Sequence, residues 1–245
     1  MSPALDKSSQ MLPVKGGMKI AVIIPAAGQG KRLKTGKPKP LVLVSGRPLL
    51  AHTLLNLKRS FLFHEIIVVA ATDQIGNFKN LLNRYRFSGV RVVAGGRTRA
   101  ESVRNGLENV SGSCEWILVH DAARPLVNRS LIRRLIQAAK GSGAAVAAMP
   151  VTSTVKRIDA KHKIIMNTED RESLYLAQTP QIFKKTLLRD RYKTLGPKAF
   201  LATDEASLFD DSEIKVKIVP GDERNIKITT PEDMKLLKFY LKKLD

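Results

Sequence analysis

Residues 23–41 read IIPAAGQGKRLKTGKPKPL, a stretch whose residue types suit the binding of a multiply charged anion. Gly28 and Gly30 lack the Cβ that would hold backbone N–H groups away from a phosphate. Lys31, Arg32, Lys34, Lys37 and Lys39 crowd positive charge beside them, and Pro38 and Pro40 oppose the helix that would turn that charge outward. Such a loop could neutralise charge that builds up during phosphoryl chemistry. It could equally be a solvated basic loop on a basic protein, and the residues alone leave both readings open.

Two familiar phosphate motifs do not fit this loop. A dinucleotide fingerprint needs a glycine where Leu33 stands, and an acidic residue at the end of the second strand, where the first acid is Asp73. A P-loop needs four residues between its first glycine and Gly-Lys, then Ser or Thr; five residues separate Gly30 from Gly36, and Pro38 follows Lys37.

The elements that must position the loop are legible as short β-branched runs alternating with helical segments. Strands are predicted at 19–24, 65–71, 90–95, 115–121 and 144–151, all apolar enough to be buried on both faces. Between them, RPLLAHTLLNLKR places Pro48 in a first helical turn, and TRAESVRNGL opens with Thr98 and Glu101 in capping-box spacing. The alternation predicts an α/β fold, a mostly parallel sheet with helices on both faces. Ligands bind such sheets beyond the carboxyl ends of the strands, where residues 23–41 leave the first one.

After Val151 the pattern changes to polar and apolar alternation around DAKHK, which predicts a protruding β-arm at about 151–175. Exposed strand edges seek a partner, so the arm suggests a homodimer. A helix near 184–195, strands in IKVKIV and NIKIT, and a last helix capped by Thr230 with Pro231 in its first turn complete the chain. Residues 1–18 are expected to form a loose N-terminal tail, and 19–245 a single catalytic domain.

Composition bounds the partners. The 245 residues carry 42 Lys plus Arg against 22 Asp plus Glu, a formal charge of +20 that predicts attraction to anions. Aromatic residues are only 5%, and the basic ones are scattered, which argues against a nucleic-acid surface of stacking rings and cations. One cysteine, Cys114, allows no intrachain disulfide, and the four histidines lack zinc-ligand spacing, so a reducing cytoplasm is the simplest setting. No apolar run approaches the roughly 18 residues of a membrane helix.

With PAAGQGKRL and KPK, then VHDAARP, TPQIF and NIKITTPED in order, the chain from 19 to 243 resembles the 2-C-methyl-D-erythritol 4-phosphate cytidylyltransferase family. The resemblance implies a Rossmann-like nucleotidyltransferase fold of the nucleotide-diphospho-sugar transferase type, whose arm makes a dimer. It implies transfer of a cytidylyl group from CTP to methylerythritol phosphate in the non-mevalonate route to isoprenoid precursors, with release of pyrophosphate. A divalent metal, usually Mg²⁺, belongs to this reaction.

Carried over by motif, Arg32 and Lys39 stabilise charge at the α-phosphate and pyrophosphate. Ala26, Ala27, Gly28 and Gly30 hold the nucleotide; Gly95, Gly96 and Ser102 read the base. Asp121 serves the metal or the substrate hydroxyls, and Arg124 holds phosphate or fixes the Asp121 loop. Thr154, Arg171 and Thr179 match positions that hold methylerythritol phosphate, the arginine reaching into the opposite subunit, and Lys227 positions the substrate phosphate. The chain departs from frequent family residues at Leu33, Pro40, Arg97 and Tyr175. Arg97 stands where an acid is common, so a base contact from that side chain is not carried over. The same fold with ribitol 5-phosphate as acceptor is the nearest rival; a basic nucleic-acid-binding module is the rival of another class.

Overall fold

The structure, a computed structural model, describes residues 18–28, 36, 38–61 and 63–243. In chain order the strands and α-helices are β1 (Ile20–Pro25), β2 (Leu43–Val44), β3 (Arg47–Pro48), α1 (Leu49–Ser60), β4 (Glu65–Ala70), α2 (Ile75–Arg84), β5 (Val90–Ala94) and α3 (Arg99–Glu108). They continue as β6 (Trp116–Val119), α4 (Arg129–Ser142), β7 (Ala144–Pro150), β8 (Lys156–Asp159), β9 (Ile164–Thr168), β10 (Tyr175–Lys184), α5 (Lys185–Leu195), β11 (Lys217–Pro220) and α6 (Pro231–Lys242). A seven-stranded sheet runs β11-β7-β10-β6-β1-β4-β5, and β10 alone opposes its neighbours.

Alternation along β1 divides the core. Ile20, Val22 and Ile24 face a cluster with Leu54 of α1, Phe78 of α2 and Leu135 of α4. Ala21 and Ile23 face Val103 of α3 and Leu188 of α5 on the other side. Burial on both faces is what the continuous apolar runs of β1, β4 and β6 require. The expectation fails for β5, whose residues stay half-buried or exposed, because it lies at the sheet edge.

The order of the strands creates the functional crevice. From β1 the chain steps outward to β4 and β5, then returns to place β6 on the other side of β1. The loops after β1 and β6 therefore diverge, which opens a cleft between them at the carboxyl ends.

Several local expectations are corrected. Pro48 is the N-cap of α1, one residue before its first turn. Thr98 caps α3 by accepting from the Glu101 N–H, but the Glu101 carboxylate turns to the Arg97 N–H, so the reciprocal half of the box is absent. The full capping box occurs instead on α6, between Thr230 and Asp233. NIKIT is no strand: the Ile228 N–H donates to the Ala123 carbonyl while its side chain packs beneath α6. TPQIF, to which no element is assigned from the sequence, belongs to β10 in the main sheet, which bulges against β7 between Gln178 and Gln181. The arm itself is the two-stranded β8-β9 sheet, which carries Ile158, Ile164, Ile165 and Met166 exposed.

Gly106 decides how closely α3 lies on β1 and β4. A Cβ there would sit 2.6 Å from the Ile23 Cγ2 and 2.9 Å from the Val69 Cγ2, both in the packed core. Gly106→Val is expected to lower stability by about 2–3 kcal/mol through overpacking, read as a shift of the urea midpoint. An unchanged midpoint would contradict so close an approach.

Candidate active site

The cleft beyond β1, β5 and β6 has a volume of about 210 Å³. Pro25, Ala26, Ala27 and Gly28 line it from the end of β1; Gly96 to Arg99 and Ser102 come from the start of α3. Asp121, Ala122 and Ala123 follow β6, and Lys39, Pro40 and Lys227 close the remaining side. Gly30 and Arg32 of the expected set lie outside the described residues.

Close backbone approach explains the glycine that precedes α3. The Gly95 N–H donates to the Ala70 carbonyl at 2.7 Å, tying this loop to the end of β4. A Cβ on Gly95 would meet the Ser102 Oγ at 2.9 Å, the Ala27 Cβ at 3.1 Å and the Ala70 carbonyl oxygen at 3.2 Å. Ser102 is buried; its hydroxyl donates to the Thr98 carbonyl and accepts from the Gly96 N–H.

The electrostatic centre is Asp121, just past β6. Its Oδ2 accepts from the Lys227 Nζ at 2.7 Å, and its Oδ1 accepts from the Arg99 Nε and Nη2 at 3.3 and 3.2 Å. Burial alone would raise this carboxyl, but Arg99, then Lys227 and Arg124, outweigh it and hold Asp121 well below the usual carboxylate range. Arg99 also donates through Nη1 to both oxygens of Glu205, at 2.8 and 3.0 Å. Burial pulls the Arg99 guanidinium down, and the two carboxylates more than reverse this.

The loop after β6 is anchored by neutral hydrogen bonds. Thr179 is buried, and its hydroxyl accepts from the Asp121 N–H at 3.0 Å and lies 3.2 Å from the His120 Nδ1. His120 Nε2 lies 2.9 Å from the Arg124 carbonyl oxygen, so this nitrogen carries the proton and the threonine hydroxyl donates to Nδ1. Complete burial lowers the imidazole pKa to about 4, which keeps it neutral at physiological pH. Arg124 is also buried; it donates to the Asn225 carbonyl at 2.7 Å, and its Nε lies 3.9 Å from the Asp121 Oδ2.

Those contacts also place Lys227. Asn225 is fully buried and donates to the Thr179 carbonyl at 2.8 Å and the Gln178 Oε1 at 3.1 Å. Two residues later the Lys227 side chain emerges into the cleft, 40% exposed. Lys39 meets the same segment from the other side, its Nζ donating to the Ile228 carbonyl at 2.7 Å.

Thr154 and Arg171 do not line this cleft. Thr154 lies just before β8 and Arg171 follows β9, with its Nη1 donating to the Thr152 carbonyl. The ion-pair partners that lead from Asp121 into the protein, Arg99 and Glu205, escaped the sequence reading. Arg99 looked like an ordinary first-turn residue, and nothing near Glu205 in the sequence marks it as fully buried.

The donor set limits what metal the site can hold. Among the described residues there is no group of three or more His, Cys, Asp or Glu side chains suited to a metal. Among the described residues Asp121 is the single carboxylate lining the cleft, with acceptor capacity left beyond its contacts to Arg99 and Lys227. One carboxylate suits Mg²⁺ in the form it takes with nucleotides, bound mainly by substrate phosphates and water.

A family model described as 2-C-methyl-D-erythritol 4-phosphate cytidylyltransferase matches residues 20–243. A protein of that name from Syntrophus aciditrophicus is 42% identical over 227 residues, which cover 92% of this chain and 97% of the relative. Another from Bacillus licheniformis is 41% identical, covering 89% and 93%. The crystal structure of 4-diphosphocytidyl-2C-methyl-D-erythritol synthase from Anaerococcus prevotii superposes with a TM-score of 0.80 at 35% identity, covering 93% of this chain and 97% of that one.

Asp121 should leave a mark on acid stability. Its folded pKa is depressed, so its contribution is fully present above the unfolded value of about 3.9 and is lost as pH falls through the folded one. Asp121→Asn is expected to be less stable than the parent at pH 7, with the gap narrowing below about pH 4. Urea unfolding at each pH reads this, and a gap that stays constant would contradict the assignment.

Proposed function

The chain belongs to the 2-C-methyl-D-erythritol 4-phosphate cytidylyltransferase family, and on that premise we propose that it transfers the cytidylyl group of CTP to 2-C-methyl-D-erythritol 4-phosphate. The products are the CDP-alcohol and pyrophosphate. The observation that carries the reading is the meeting of the β1 loop, Lys39, Asp121 and Lys227 around one cleft.

In this reaction a phosphate oxygen of the acceptor forms a bond to the α-phosphorus of CTP, and the bond from that phosphorus to the bridging oxygen breaks. The nucleophile is already an anion, so no protein base has to remove a proton. Two polyanions must instead be brought together against their repulsion, which makes catalysis a matter of position and charge.

The backbone from Ala26 to Gly28 and that of Gly96 form the nucleotide side of the cleft, with Ser102 holding the turn at Gly96 in shape. Lys39 is held against Ile228, and it and Arg32, the latter assigned by its motif alone, are the cations for the α-phosphate and the leaving pyrophosphate. Lys227 receives the acceptor phosphate. Arg124 and Thr179 act through the backbone and carboxylate of Asp121 and the segment leading to Lys227. Asp121 is the carboxylate that would hold Mg²⁺, which when bound draws charge from the phosphate oxygens.

A second copy of the chain completes the acceptor site. Thr154 and Arg171 flank the arm and lie outside the cleft of their own subunit, while the arm exposes several large apolar side chains. Closing a homodimer through the arm would cover those side chains and bring both residues to the neighbouring cleft. No helix among the described residues is long and apolar enough to cross a membrane, and the reading has the enzyme act in the cytoplasm.

Pyrophosphate release is expected with CTP and methylerythritol phosphate together, and not with CTP alone or with ribitol 5-phosphate. Turnover on ribitol 5-phosphate alone would reject this acceptor. Arg32→Ala and Lys39→Ala are each expected to lower kcat about 10²–10³-fold with thermal unfolding little changed; intact rates would remove these two cations from the mechanism. Chelation should stop release and added Mg²⁺ restore it.

A further inference from the structure

The ion pairs of the cleft continue inward to a group that the transfer reaction does not itself require. Glu205 is fully buried and sits beneath the cleft wall, where an apolar side chain of similar size would fill the space without desolvating a charge. Burial pushes its carboxyl above the usual range, and Arg99 pulls the other way. Its position is firmly set. Gln181 of β10 donates to the Asp204 Oδ2 at 2.7 Å and accepts from the Ala206 N–H at 3.1 Å, clamping the residues on either side of Glu205.

From that fixed point the contacts run in one line. The Arg99 Nη1 lies 2.8 and 3.0 Å from the two Glu205 oxygens, its Nε and Nη2 reach the Asp121 Oδ1, and the Asp121 Oδ2 holds the Lys227 Nζ at 2.7 Å. The planar guanidinium carries donors in a fixed fork, so a carboxylate on one nitrogen orients the others. We propose that Glu205 is a positioning residue: through Arg99 it sets the orientation of Asp121, and so of Lys227, the cation offered to the acceptor phosphate. This rests on the reading of Lys227 given above. A cation aimed at an incoming phosphate acts only over a narrow range of positions, and Lys227 would otherwise be a partly exposed side chain with many rotamers.

Glu205→Gln keeps the shape and removes the charge; Arg99→Lys keeps the charge and removes the fork. In each, kcat/KM for methylerythritol phosphate is expected to fall about 100-fold, mainly through KM, while the KM for CTP changes less than about threefold. In an Asp121→Asn background, Glu205→Gln should cost less than about twofold, because the group it acts through is gone. A folded Glu205→Gln with the parent's kcat/KM overturns the proposal. So does a fall in kcat with neither KM moved, the mark of a smaller folded fraction, or a loss undiminished in the Asp121→Asn background. If Glu205→Gln does not fold, Arg99→Lys decides by the same readouts. A parent enzyme that releases no pyrophosphate from the two substrates overturns the reading of function; an active parent matched by both variants overturns the positioning role alone.

Discussion

A carboxylate taken out of water must find cations, and the site of this protein is arranged around how Asp121 finds them. Its two oxygens are shared between Arg99, at the start of α3, and Lys227, in the segment before α6. Removing either cation leaves the buried Asp121 charge less well compensated, which is destabilising. That penalty ties a helix from the first half of the chain and a loop near its end to a single point past β6.

The sheet supplies the place where this can happen. Strand order reverses between β1 and β6, so the loops after them part and leave a crevice with backbone on both sides. Gly106 brings α3 close enough to β1 and β4 for its first turn to form one wall, and Gly95 brings the preceding loop against Ala27. Packing in the core therefore decides where Arg99 and Ser102 stand in the cleft. Beneath the other wall, His120, Thr179, Arg124 and Asn225 form a hydrogen-bonded layer that contains a neutral imidazole and a fully engaged threonine. This layer holds the backbone on which Asp121 and Lys227 sit.

Charge on the protein as a whole is +20, and among the described residues few of those cations line the cleft. Lys39, Arg97, Arg99 and Lys227 line it against one carboxylate, so its local field is positive and suits polyphosphate. Scattered surface cations add attraction at long range that salt screens. Paired, partly desolvated ones are screened less and keep their positions. The transfer of a nucleotidyl group between two anions needs the second kind.

Much of the frame is legible in the order of residues because it depends on near neighbours. The runs that become β1, β4 and β6, the helix caps at Thr98 and Thr230, and the exposed arm all follow from periodicity and local hydrogen bonding over a few positions. Motif wording likewise points to Lys39, Asp121 and Lys227 as neighbours before any contact is seen. Tertiary structure alone decides the rest. It inserts TPQIF as the one reversed strand, takes Lys227 off a strand, leaves Thr154 and Arg171 out of their own cleft, and joins Arg99 to Glu205 across 106 positions. A strand's direction and a buried carboxylate's partner depend on which elements become neighbours in space, and no local pattern carries that information.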